Sequence, residues 1–189
     1  MDVRGPRIPA VAATALGVVV AVAFGAGAAW AHVNVQPPSL PKGASDVIFS
    51  FSTPNEATNG ANVTGLEVDF PTNTPLLSAL AQTKAGWDAT VTTAKLPKPV
   101  TTDDGTFTTA VTEVTWMVTA GGGVPPGAFE RFNVLATTPS SGTKVTFKAI
   151  QTYSNGDVVR WIETPVKGAP KPENPAPVLT LTKAPPSGG

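Results

Sequence analysis

A single histidine, His32, follows directly on Ala29-Trp30-Ala31, a small-x-small tripeptide of the kind signal peptidases cut. Cleavage after Ala31 would make His32 the first residue of the chain. An N-terminal histidine carries two nitrogen donors, the α-amine and the imidazole Nδ1, which can close a six-membered chelate ring on one metal ion. Copper(II), with its preference for tetragonal nitrogen and oxygen donors, suits such a chelate best. Both nitrogens must be free of their protons before they bind, so affinity should fall as pH falls. Without cleavage the same residue is only an imidazole at the edge of a strand.

The remaining donors are few. The chain has no cysteine, which excludes disulfides, thiolate metal sites, iron–sulfur clusters and cysteine-ligated blue copper. Beyond residue 31, Met117 is the only methionine and His32 the only histidine. Any metal site must therefore combine one histidine with the amine, carboxylates, backbone and water. Glu67 and Glu113 fall on the polar faces of expected strands and read as solvated, and Glu173 lies in a proline-rich stretch. Glu56, after Pro54-Asn55, sits at a strand end where side chains can converge, and Glu163 competes because it shares a strand face with Val159 and Trp161. Spacing alone leaves both open. Buried core is the default reading for Trp87, Trp116 and Trp161; Trp116, between Val114 and Val118, fits it well, and for Trp161, near a strand end beside Arg160 and Glu163, walling a metal site is the lesser alternative.

The elements that must carry these residues are strands. Arg4 and Arg7 precede an apolar run from Val11 to Phe24, the pattern of a secretory leader, so residues 1–31 are expected to be removed and the protein to act outside the cytoplasm. The rest is long enough for one cored domain. Thirteen basic and thirteen acidic residues in the whole chain balance to zero, which favours neither nucleic acid nor anionic lipid as partner. Alternation with period two marks Val33/Val35, Val47/Phe49/Phe51, Leu66/Val68/Phe70, Val114/Trp116/Val118, Phe132/Val134/Ala136 and Val145/Phe147/Ala149 as half-buried strand faces. Asp103-Asp104-Gly105 and Asn155-Gly156 are turn signals. One short helical turn is expected within Pro75–Ala85, and Gly121–Gly127 is a loop that needs unusual backbone angles. About eight strands predict an all-β, antiparallel sandwich or barrel over residues 32–165. Residues 166–189, rich in proline and glycine, are expected to form a largely disordered tail, in which Val178–Leu181 has the pattern of an edge strand.

Several local patterns occur together in one order: Ala31-His32-Val33-Asn34-Val35-Gln36-Pro37, Pro54-Asn55-Glu56, Gly86-Trp87, and Val114-Thr115-Trp116. They continue with Pro126-Gly127-Ala128-Phe129-Glu130-Arg131-Phe132 and Tyr153-Ser154-Asn155-Gly156-Asp157-Val158-Val159-Arg160-Trp161. In this the chain resembles the YcnI-like extracytoplasmic copper-binding domains from His32 to about Glu163. The resemblance implies a fold somewhat like that of cupredoxins. It also implies one copper(II) per chain held by the amine and Nδ1 of His32 together with Glu56, with Trp161 beside the metal. A role in copper trafficking or acquisition alongside a membrane copper transporter or another carrier is implied as well. The Bacillus-type relatives continue into a membrane helix, whereas this chain continues into a Pro/Gly tail.

The expected function is therefore non-enzymatic copper(II) binding. A polysaccharide monooxygenase also begins with histidine but adds a second histidine to complete a three-nitrogen brace, and none is present here. A metal-free cell-surface sandwich is the alternative from a different class. Asn62-Val63-Thr64 matches a glycosylation sequon, a pattern too common to carry weight alone.

Overall fold

The computed structural model describes residues 32–102, 105–119 and 121–184. The expected leader and the Asp103-Asp104 part of one turn lie outside them. Twelve strands and no helix run through the described residues: β1 (Asn34–Gln36), β2 (Ser39–Pro41), β3 (Val47–Pro54), β4 (Val63–Asp69), β5 (Ala79–Ala81) and β6 (Trp87–Thr102), then β7 (Gly105–Val118), β8 (Phe129–Ala136), β9 (Lys144–Thr146), β10 (Lys148–Tyr153), β11 (Val158–Trp161) and β12 (Val178–Thr182). They form a four-stranded sheet in the order β1-β3-β8-β5, a five-stranded sheet in the order β11-β10-β4-β7-β6, and a three-stranded sheet in the order β2-β12-β9. The result is an all-β sandwich with open sheets, not a closed barrel.

The alternating faces meet as the sequence requires. Phe49, Phe51, Phe132 and Val134 from the four-stranded sheet pack against Leu66, Val68, Val114 and Trp116 from the five-stranded sheet. Aromatic rings knit the layers: Phe51 meets Phe147 edge-on at 5.1 Å between ring centres, and Trp116 lies 5.2 Å from Phe132. Such contacts add to the burial of rings that already dominate the core. The Asn155-Gly156 turn joins β10 to β11 as a hairpin, with Gly156 at φ 90°, where a residue without Cβ carries no steric penalty.

Two expectations fail. Pro75–Ala85 holds the short strand β5, paired with β8, and no helical turn; the outward-facing Leu80 and inward-facing Ala79 fit the sheet's period. The domain also does not end at residue 165, because β12 runs parallel to β2 and antiparallel to β9. Leu179 and Leu181 are buried in the same core as Val145, so this strand belongs to the sandwich. The prolines ahead of it occupy the crossing segment. That segment is pinned where Glu163 N–H donates to Asn174 O (3.0 Å) and Ala176 N–H donates to Glu163 O (2.8 Å).

Candidate functional site

His32 is positioned by the edge strand it precedes. β1 pairs with β3 in the register Asn34↔Ser52, Val35↔Phe51 and Gln36↔Ser50, anchored by the buried Val33 and Val35. Extended by two residues, that register sets His32 beside Pro54 at the far end of β3. The Asn34 side-chain amide donates to the His32 carbonyl (3.1 Å), and Gln36 in turn donates to Asn34 Oδ1 (2.9 Å), which holds the start of the chain against the sheet.

Beyond Pro54 the chain turns, and Asn55 builds the turn. This asparagine is almost wholly buried, yet every polar atom of its side chain is engaged. Its amide donates to Ala61 O (2.8 Å) and Val124 O (2.7 Å), and its Oδ1 accepts from Ala57 N–H (2.9 Å). Its own backbone is tied to Ala128 O and Gly127 N. A buried amide is tolerable only with such complete pairing. The consequence is local: Glu56, between two fixed neighbours, is turned out to solvent. The loop from Gly121 to Gly127 supports this arrangement, since Val124 pairs with Val63 in both directions. Gly123, at φ 101°, has no room for a Cβ against the Val63 carbonyl, as the glycine-rich sequence anticipates.

Trp161 closes β11 and lies in the core cluster. Its indole meets the His32 imidazole, with ring centres 5.3 Å apart and planes tilted by 57°. Its Nε1 donates to Gln151 Oε1 (3.0 Å), and Gln151 Nε2 donates to Pro54 O (2.8 Å). Trp161 and Glu56 line one cavity of about 410 Å³, whose wall also includes Tyr153, Asp157, Asn59 and Asn174. Two carboxylates and no basic side chain line it, so its field favours a cation. Tyr153 registers that field: partial burial first, then the charges of Glu56 and Asp157, push its phenol above its ordinary value.

The other carboxylates lie elsewhere. Glu163 Oε2 accepts from Asn174 N–H (3.1 Å), which commits that carboxylate to the crossing segment, and the residue does not line the cavity. Glu67 and Asp69 on β4 and Glu113 on β7 converge on the outer side of the five-stranded sheet, with ligand atoms within 4.8 Å of one another. Burial, followed by the charges of Glu113 and Asp69, raises Glu67 above the usual carboxylate range, and Arg160 opposes the shift. Met117 is exposed on the same sheet.

His32 does not itself line the cavity beside Glu56 and meets it through the Trp161 indole. By type, imidazole nitrogen and carboxylate oxygen are donors that suit a borderline divalent cation such as copper(II) better than a soft monovalent one. Sequence reasoning missed Gln151, Tyr153 and Asp157. Gln151 carried a readable signal, because the inward-facing series Val145, Phe147, Ala149 continues into this polar residue.

A family model described as a domain of unknown function, DUF1775, matches residues 32–181. A protein from Nocardia farcinica, described as uncharacterised and as having an immunoglobulin-like fold, is 34% identical; its match has a TM-score of 0.63 and covers 80% of this chain and 99% of that one. A type I cohesin from Clostridium thermocellum, solved in complex with a dockerin, is 8% identical with a TM-score of 0.41, covering 80% of this chain and 98% of its own. A cohesin module from a Clostridium perfringens family 33 glycoside hydrolase is 9% identical with a TM-score of 0.40, covering 82% and 98%. No curated protein sequence matches.

Proposed function

Starting from a chain that belongs to the DUF1775 family, we propose that this protein is an extracytoplasmic, non-enzymatic copper(II)-binding domain of the YcnI-like kind. It carries one copper(II) as cargo, bound by the α-amine and Nδ1 of His32 and by Glu56, with Trp161 beside the metal. Signal-peptide removal after Ala31 frees the amine, and the cargo passes to or from a membrane copper transporter or a second carrier. The observation that carries this reading is the meeting of His32 with Trp161, an indole that shares a cationophilic cavity with Glu56.

The single histidine is consistent with storage or transfer rather than oxygen activation, because a three-nitrogen brace needs a second imidazole. A carboxylate in its place adds negative charge and favours the divalent state of the metal. The test is the electron paramagnetic resonance spectrum of the secreted, processed protein loaded with one equivalent of copper(II). The reading predicts a tetragonal signal with coupling to two nitrogens of His32, which His32→Ala abolishes; a spectrum unchanged in that variant would refute it.

A further inference from the structure

We infer that Gln151 is a positioning residue of this site, setting the Trp161 indole and the Glu56-bearing turn at a fixed separation; the inference rests on the copper(II) reading above. Gln151 is completely buried, on the inward face of β10, where neighbouring positions hold Leu66 and Val159. An aliphatic side chain would satisfy packing there. A glutamine instead brings a primary amide into a low-dielectric interior, which is costly unless both of its ends are bonded.

Both ends are bonded, and to partners of fixed polarity. The Pro54 carbonyl can only accept and the Trp161 indole N–H can only donate. The position therefore requires a group that donates at one end and accepts at the other, at distances of 2.8 and 3.0 Å. That requirement also fixes which way round the amide lies. The bridge crosses the sandwich from the end of β3 to the end of β11. Both proposed donors hang on the β3 end: Glu56 lies two residues beyond Pro54, and the β1–β3 register carries His32 alongside it. The hydrogen bonds of Gln151 go to Pro54 and Trp161, not to His32 or Glu56. It acts through the Pro54 carbonyl and the indole, as outer-shell partners of metal sites do.

The test compares the processed wild-type protein with Gln151→Met, which keeps the volume and loses both hydrogen bonds. The readouts are copper(II) affinity by competition with a chelator, the electron paramagnetic resonance spectrum, and thermal melting. Expected is a loss of roughly 10-fold or more in affinity with an altered copper spectrum in a folded protein. If Gln151→Met does not fold, Gln151→Asn carries the same expectation, because its shorter amide cannot span both partners. A folded variant with wild-type affinity and spectrum, or with a lowered melting point but an unchanged spectrum, overturns the inference. A wild-type protein that binds no copper(II) overturns the underlying reading instead, and is recognised because the failure lies in the parent.

Discussion

His32 and Trp161 stand 129 positions apart by number, yet their rings lie 5.3 Å apart, the imidazole tilted 57° to the indole. β1 brings the histidine to the end of β3, and the β10–β11 hairpin brings the tryptophan to meet it. The contact joins the first described residue to the last residue of β11 at one end of the sandwich. Its supports are two buried amides, Asn55 and Gln151, rather than apolar packing alone.

Asn55→Ala should destabilise the fold. It removes three hydrogen bonds, two of them buried, and takes this partner from the Ala61 carbonyl and the Ala57 N–H, while the Val124 carbonyl keeps its bond from Val63 N–H. At about 1 kcal/mol for each bond, the expected loss is roughly 3 kcal/mol. Denaturant unfolding measures it, and a loss within about 0.5 kcal/mol, as at an ordinary surface site, would contradict the role given to this residue.

Tyr153 is the only tyrosine in the chain, so an ultraviolet titration of its phenolate reads the cavity directly. Glu56→Gln removes one of the charges that raise its ionisation and should bring the midpoint down toward 10.0, leaving the larger contribution from burial in place. An unmoved midpoint would mean that the Glu56 carboxylate does not face the phenol.

Much of this fold was legible because a two-residue period is local. Phe49 and Phe51, Leu66 and Val68, and Val114 and Trp116 all face inward as their alternation requires. β12 was harder to place, since Leu179 and Leu181 alternate correctly but follow a run of prolines whose route across the sandwich is set by long-range contacts with Glu163. The site was legible at His32, where uniqueness is itself a signal. The choice between Glu56 and Glu163 was not, because it depends on which carboxylate the crossing segment occupies. Gln151 was visible only as a break in an apolar series, and its partners are set by tertiary folding.

Glu67→Gln should stabilise the protein at neutral pH by removing a partly desolvated charge and its repulsion from Glu113 and Asp69, less the lost attraction of Arg160. A carboxyl whose ionisation is raised on folding binds its proton more tightly in the folded state. Its contribution to stability is therefore lost as pH rises from the ordinary value of 4.5 through the raised one. The gain is modest at a partly solvated site, about 0.5 kcal/mol, and shrinks with added salt. Equal stability of variant and wild type at low ionic strength and neutral pH would contradict it.

The two competing glutamates separate cleanly by substitution. Glu56→Gln should weaken copper(II) binding by at least about 10-fold, as loss of a ligand exceeds loss of an outer-shell partner. Glu163→Gln should leave affinity unchanged and cost about 1 kcal/mol of stability by weakening the bond from Asn174 N–H. The reverse pattern in a copper competition assay would transfer the ligand role to Glu163.

The central claim is that the amine of His32 binds metal, and isothermal titration of copper(II) into two forms of the protein tests it most directly. One form begins at His32; the other keeps a single additional residue before it, leaving the imidazole, Glu56 and Trp161 in place. The processed form should bind one equivalent, and the extended form should bind more weakly by about 100-fold or more, a difference of roughly 2.7 kcal/mol. Equal affinity in the two forms would contradict the account.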